Sequence, residues 1–262
     1  MSASSVPLNP QGHARLYLHA VLPCFVDLVA QDEAARKVVA QWEARIVLRI
    51  LDGPAATLTF SKGGVSHAPE ALPGSSVTLL FLSCAHLNAF FAGTAAAIPL
   101  PVWGAWHIGL LVGFSKVAER LEAVLEGEGD VLTTPAGRRA HARLTLIAAG
   151  LGLRPLAEYD AGAQADLKAI PSGLAEFSIG GEENAAVWFD NRPGNWTAGW
   201  GQPPRKPDVR VRFANIDVAY SALRDEADTY SEVGLGRITV DGLVPLADGL
   251  NLVMERLRDY LE

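Results

Sequence analysis

Residues 234–261 have the clearest alternation of hydrophobic and polar positions in the chain. Ile238 and Val240 alternate with polar residues at the period of two that is typical of a half-buried strand. After a turn at residues 241–242, apolar side chains recur at the spacing of one helix face, at Leu246, Leu250, Val253, Leu257 and Leu261. The pattern predicts a strand that leads into a packed helix.

A similar pattern occurs about half a chain earlier. Residues 103–112 predict a strand, and an apolar stripe through residues 114–124 predicts the helix after it. The tetrapeptide His-Ala-Arg-Leu also occurs twice, at residues 13–16 and 141–144, and the two stretches then align without a gap. These recurrences predict an internal duplication, in which Ile108 corresponds to Ile238.

Both halves show the same predicted order of elements. N-terminal helices precede a three-stranded meander, a further strand, a short helix, a last strand and a long helix. A polar, glycine-containing break at residues 126–130 separates the halves. We therefore predict an α+β fold with two tandem domains, residues 1–128 and 129–262, each a five-stranded, mostly antiparallel sheet covered by helices.

Composition excludes several classes of partner. The formal net charge of −7 argues against nucleic acid as the main partner, since phosphate binding needs a basic surface. The first residues lack a basic start followed by an apolar run, and residues 16–30 are too short and too polar to span a bilayer. We expect a cytoplasmic protein with no transmembrane segment, and the sequence leaves a homo-oligomer open.

Candidate catalytic chemistry is sparse. The chain contains no P-loop, no H-E-x-x-H and no G-x-S-x-G, so we predict no catalytic residue, no cofactor and no metal site. Cys24 and Cys84 are predicted to be buried free thiols. His107 and Asp228 are the groups that an acid–base mechanism would use, although Asp228 belongs to an acidic run that is more typical of a solvated helix end.

Aromatic and large aliphatic side chains are the most informative candidates. Aromatic rings with a polar atom suit a cavity with one wet end, whereas the alternative is that they fill the cores or the contact between the halves. The predicted ligand-binding residues are Phe90, Phe91, Trp103, Trp106 and Ile108 in the first half, and Trp188, Trp200, Tyr220, Leu223, Tyr230, Leu235 and Ile238 in the second.

The order of elements in the second half resembles the sterol carrier protein type 2 family of lipid-transfer domains. The residues that carry the resemblance are PDVRVRFANIDVAYSALRD at 207–225 and GRITVDGLVPLADGLNLVMERL at 236–257, with looser matches at 76–93 and 103–125. The resemblance implies a five-stranded sheet covered by helices, enclosing an apolar tunnel for a sterol, fatty acid or acyl-CoA. The first half departs from the family at residues 94–101, where TAAAIPLP replaces a more polar connection.

Three functions follow as hypotheses. The first is binding or transfer of a hydrophobic ligand or lipid in an apolar cavity, which needs no charged residue and agrees with the lack of catalytic motifs. The second is an enzyme that converts a bulky hydrophobic substrate by acid–base chemistry, which predicts a titratable group of shifted pKa inside a pocket. The third is a protein-interaction module whose cavities are filled by side chains.

Overall fold

The computed structural model describes residues 8–127 and 129–261. Close approaches between Cα atoms divide these residues into two compact units. The first unit consists of residues 13–127, and the second unit consists of residues 129–261 together with residues 8–12.

The first unit contains five helices and five strands among its described residues. In chain order these elements are α1 (Pro10–Leu16, shared with the second unit), α2 (Cys24–Gln31), α3 (Glu33–Val39), β1 (Ala44–Ile50), β2 (Ala55–Ser61), β3 (Gly64–Ala68), β4 (Val77–Phe81), α4 (Cys84–Phe91), β5 (Leu100–Trp103) and α5 (Ile108–Glu126).

A π-helical turn, Tyr17–Val21, separates α1 from α2. The amide of Leu22 donates to the carbonyl of Tyr17 over 2.9 Å, one residue further back than in an α-helix. Pro23, which lacks an amide hydrogen, follows directly. The α-helical hydrogen-bond pattern is therefore interrupted directly before Pro23.

The second unit has an equivalent set of elements. After a 3₁₀ turn at Gly129–Thr133, they are α6 (Pro135–Tyr159), α7 (Ala161–Ala169), β6 (Gly173–Ile179), β7 (Ala186–Asn191), β8 (Thr197–Trp200), β9 (Val209–Phe213), α8 (Ile216–Leu223), α9 (Thr229–Gly234), β10 (Ile238–Gly242) and α10 (Val244–Leu261).

The two sheets have the same topology. Strand order is β3-β2-β1-β4-β5 in the first unit and β8-β7-β6-β9-β10 in the second. In each sheet one pair is parallel, β1 with β4 and β6 with β9, and the other pairings are antiparallel. The predicted α+β class, with two mostly antiparallel five-stranded sheets that pack against helices, is confirmed.

Helices cover one face of each sheet because the apolar positions of the strands lie on that face. In the second sheet Phe177 of β6 lies beside Val211 of β9, and both side chains are buried. α6 crosses β7 so closely that a Cβ on Gly150 would lie 2.4 Å from Val187. The predicted stripe of α10 is buried at Leu246, Leu250, Val253 and Leu257.

The last helix of each unit is joined to an aspartate that caps an earlier helix. Asp32 caps α3 by accepting from the amide of Ala35, and its other oxygen accepts from Arg120 of α5. Asp160 caps α7 by accepting from the amide of Ala163, and its other oxygen accepts from the hydroxyl of Tyr260 of α10. These bonds fix the end of each long helix against the N-terminal helices.

The prediction of a strand at residues 103–112 is wrong. β5 ends at Trp103, and α5 already begins at Ile108, so Ile108 is helical whereas Ile238 lies in β10. In the second sheet, Val240 of β10 lies opposite Val211 of β9. The first-unit residue at the position of Val211 is Leu79 of β4, and its partner on β5 is Pro101. Ile108 and Ile238 are therefore not equivalent, and that part of the duplication argument fails.

Candidate functional site

Large apolar side chains are exposed throughout residues 98–112 of the first unit, which we call the apolar segment. Ile98 is 69% exposed, Trp106 64% and Ile108 67%. The segment also exposes four further large side chains, at Leu100, Val102, Trp103 and Val112. A continuous stretch of this kind is unusual on a protein surface and is typical of a binding surface.

The backbone of the apolar segment is held in place by specific contacts. The indole nitrogen of Trp103 donates to the carbonyl of Ser75 over 3.1 Å. Gly104 has a left-handed φ of 75°, and a Cβ there would lie 1.9 Å from the carbonyl oxygen of Ser76. The rings of Trp103 and Trp106 meet edge to face, with centroids 5.2 Å apart. These contacts hold the turn between β5 and α5 against residues 75–76, and the exposed side chains lie on both sides of it.

Phe90 and Phe91, the other predicted residues of this half, occupy the end of α4. Phe91 is half-buried and stacks on Tyr17 of the π-helical turn, with ring centroids 4.5 Å apart. Burial raises the pKa of Tyr17 above its ordinary value. Phe90 remains exposed and contacts Phe81 at the end of β4. Aromatic contacts therefore fix α4 onto the N-terminal helices while one ring stays accessible.

The predicted residues of the second unit lie in three different places. Trp188 is on the outer sheet face, where its indole covers Gly199 of β8. Trp200 and Ile238 belong to the inner face, at opposite edges of the sheet. The remaining residues lie on or beside the helices after β9, at Tyr220, Leu223, Tyr230 and Leu235.

The four residues that follow β9 also differ in their surroundings. Tyr220 and Leu223 of α8 are half-buried, and the ring of Tyr220 meets that of His141 of α6 at 5.7 Å. Tyr230 is 83% exposed and Leu235 66% exposed. Tyr220 and Leu223 thus lie near a helix contact, whereas Tyr230 and Leu235 face outward.

Charged pairs precede and follow the exposed residues of the second unit along the chain. Arg224 pairs with Glu226 and Arg237 pairs with Glu232, both at 2.7 Å. Asp228 caps α9, and its hydrogen bond from Ser231 lowers the pKa of that carboxyl below the ordinary value. A carboxyl with a lowered pKa in this position is a structural cap, and it is a poor proton acceptor near neutral pH.

An open groove of about 420 Å³ lies on the outer face of the second sheet. Its walls include Glu176 and Arg210, which form an ion pair at 3.2 Å on neighbouring strands, and Arg212, Glu182 and Asp241. None of the predicted ligand-binding residues lines this groove. Its charged walls suit a polar ligand and do not suit a sterol or an acyl chain.

Both cysteines are free thiols, but only Cys24 is buried as predicted, and Cys84 is half-buried because it lies at the start of α4. Burial raises the pKa of the Cys24 thiol, and burial likewise raises that of Cys84, so both remain protonated near neutral pH. Among residues 8–127 and 129–261, no three His, Cys, Asp or Glu side chains are grouped as metal ligands would be.

No described helix combines the length and the apolar character that crossing a bilayer requires.

Sequence reasoning missed part of the apolar segment. Ile98, Leu100, Val102 and Val112 are exposed but were not predicted to bind a ligand. The signal that could have found them is the absence of Asp, Glu, Lys and Arg between Glu70 and Lys116. Because no charged residue is available for the surface positions of this stretch, some of its apolar side chains reach the surface.

No protein-family model matches the chain, and no curated protein matches it. Among solved structures, the chain is similar to the sterol carrier protein domain 2 of Helicoverpa armigera, with 14% identity over 36% of this chain and 73% of that one, at a TM-score of 0.29. It is also similar to sterol carrier protein 2 of Yarrowia lipolytica in its apo form, with 17% identity over 40% and 90% of the two chains and a TM-score of 0.31. A conserved hypothetical protein of Thermus thermophilus, suggested to be a sterol carrier protein, has 17% identity over 45% and 87% of the two chains and a TM-score of 0.29.

Proposed function

We propose that this protein binds and transfers a hydrophobic ligand of the sterol, fatty acid or acyl-CoA class, without catalysing a reaction on it. The observation that carries the proposal is the placement of the exposed large apolar side chains. Apart from Leu51, all of those in the first unit follow β4, and all of those in the second unit follow α8. With the further exceptions of Leu82 before α4, Phe90 within it and Leu252 within α10, the exposed side chains of both units lie between the short helix and the first turns of the last helix.

The energetic argument favours a ligand that covers these side chains. Trp103 and Trp106 alone expose roughly 250 Å² of mostly apolar surface, if each side chain offers about 200 Å² in full. Covering that area contributes about 6 kcal/mol before the costs of ordering are subtracted. A sterol or an acyl chain can cover it and needs no charged partner on the protein.

We further propose that the two halves, residues 1–128 and 129–262, are tandem copies of one ancestral domain. The support is now topological, because both sheets have one strand order and one parallel pair at the same position. The capping aspartates Asp32 and Asp160 add to it, since each also accepts a hydrogen bond from the last helix of its unit. In the second copy we assign the lining of a ligand site to Tyr220 and Leu223, which lie half-buried on α8.

The test is a titration of the whole chain with a fluorescent fatty acid and, separately, with a fluorescent sterol, in solution without vesicles. We expect saturable binding, and the stoichiometry shows whether one or both copies bind. Ile108→Asp should raise the Kd for the fatty acid or sterol at least about tenfold, because the bound ligand would cover the charged carboxylate and remove it from water. Since position 108 begins α5, an aspartate there is compatible with the helix.

Leu252→Asp is the matched control. Leu252 is also exposed, at 56%, but it lies in the middle of α10, outside the connection between the short helix and the last helix. We expect its Kd to stay within about twofold of that of the unchanged protein. Lack of binding of every sterol and acyl chain by the folded protein would contradict the proposal and favour the interaction module, and equal losses in both variants would contradict the site.

A further inference from the structure

The apolar segment lies within an uncharged region of an otherwise charged chain. Between Glu70 and Lys116 no Asp, Glu, Lys or Arg occurs, although the whole protein has 22 basic and 29 acidic residues. This region builds β4, α4, β5 and the first turns of α5. These elements therefore contribute no formal charge of their own to the surface around the apolar segment.

The equivalent face of the second unit is different. There Tyr230 and Leu235 are exposed between two ion pairs, Arg224 with Glu226 and Arg237 with Glu232. The comparison shows that the topology does not require an uncharged face after the short helix. The first unit has one because of its own sequence, and a function specific to the first unit is expected to use it.

Strand pairing with a second copy is disfavoured by the sequence of β5. This strand forms one edge of its sheet, and such edges can pair with another chain. However, β5 has four residues, includes Pro101 and has a register shift opposite Thr78 and Leu79. Short length, proline and irregular register all oppose edge-to-edge pairing.

A lipid surface fits these observations better than a protein does. Protein interfaces have a polar, charged rim around an apolar centre, and the apolar segment lacks charged residues altogether. Tryptophan side chains such as Trp103 and Trp106 are enriched at the boundary between lipid headgroups and acyl chains. Because the free edge of β5 has unpaired backbone groups, the segment can enter only this boundary and not the hydrocarbon centre.

We infer that the first unit docks on the surface of a lipid bilayer by inserting the side chains of residues 98–112, without the help of electrostatic attraction. This docking goes beyond the proposed ligand binding and needs no bound ligand. It gives a direct path for a hydrophobic ligand between a membrane and the protein. Independence of lipid charge and of salt distinguishes this docking from attachment through a basic surface, which would require anionic lipid and low salt.

The experiment is flotation of the whole chain with vesicles of phosphatidylcholine alone. We expect the protein to float with the vesicles, with no loss between about 0.1 M and about 1 M NaCl. Ile98→Glu combined with Trp106→Glu should reduce the bound fraction at least about tenfold, because a charge resists transfer into the boundary region. Tyr230→Glu combined with Leu235→Glu is the matched control and should bind within about twofold of the unchanged protein.

Hydrogen exchange of the unchanged protein provides a readout that needs no variant. Vesicles should slow exchange at residues 98–112 and leave residues 229–235 unaffected. The inference would be overturned if the protein did not float, or if it floated only with anionic lipid. Equal losses in both double variants, or protection of residues 98–112 by self-association without vesicles, would also overturn it. The ligand titration in the absence of vesicles is independent, so either result can fail while the other holds.

Discussion

At the residue scale, His67 is the side chain whose chemistry is changed most clearly by the fold. It lies on β3, and its Nε2 is 2.9 Å from the carbonyl oxygen of Leu18 in the π-helical turn. Burial lowers the pKa of His67 from 6.5 to about 4, and the neighbouring His19 lowers it further, while the hydrogen bond to Leu18 acts in the opposite direction. The half-buried imidazole is therefore neutral in the folded protein at neutral pH.

This pKa predicts a loss of stability in acid. Above about pH 6.5, His67 is neutral in both states and contributes no pH dependence. As the pH falls from 6.5 to about 4, the unfolded chain binds a proton that the folded protein does not, so the free energy of unfolding decreases, by roughly 3 kcal/mol at most. Urea unfolding at several pH values, compared with His67→Gln, isolates this contribution.

We expect the free energy of unfolding of His67→Gln to vary less steeply with pH over this range. The carboxylates that titrate in the same interval are present in both proteins, so the difference between the two curves reports His67 alone. Parallel curves for the two proteins would show that His67 binds its proton equally well in the folded state.

At the element scale, sequence patterns predicted α10 well and α5 poorly. Along α10 charged residues such as Asp248 and Glu255 separate the apolar positions, so the sequence pattern indicates clearly which face is buried. Leu246 and Leu257 are buried as expected. From residue 98 to 112 nearly every side chain is apolar, so neither a period of two nor a period of 3.6 stands out. The end of the strand and the exposure of Ile98, Leu100, Val102 and Val112 could not be predicted for the same reason.

The turn between β5 and α5 depends on a single glycine. Gly104→Ala places a Cβ within 1.9 Å of the carbonyl oxygen of Ser76 and forces alanine into a left-handed φ of 75°. We expect the free energy of unfolding to fall by about 2 kcal/mol or more, measured by chemical denaturation. Gly93→Ala serves as the control.

Gly93 also has a positive φ, of 69°, but a Cβ there meets no atom within 4 Å. Gly93→Ala therefore introduces the backbone strain without the steric clash, and it should lower the free energy of unfolding by about 1 kcal/mol. Equal losses in the two variants would show that the close approach to Ser76 contributes nothing, and that the apolar segment is not anchored at this turn.

At the scale of the whole molecule, the sequence contained the repeated topology but not the correct correspondence between the halves. The match of Asp32 with Asp160 holds because the N-terminal helices align without a gap, and both residues cap a helix. The match of Ile108 with Ile238 fails because the second unit has an additional helix, α9, before its last strand. Insertions in surface connections change residue spacing without changing strand order, so spacing alone could not locate β5.

The same architecture predicts how the second unit loses its stability. Leu250 lies in the middle of the buried stripe of α10 and is fully buried, whereas Leu252 on the same helix is 56% exposed. Leu250→Asp would bury an unpaired charge, at a cost of several kcal/mol that is comparable to the stability of a typical domain. Leu252→Asp introduces the same charge into the same helix at a solvated position, where it should change stability by no more than about 0.5 kcal/mol. Thermal unfolding gives the midpoint of each variant, and hydrogen exchange assigns any loss to residues 129–261. A midpoint for Leu250→Asp that equals that of Leu252→Asp would mean that α10 does not close the core of the second unit.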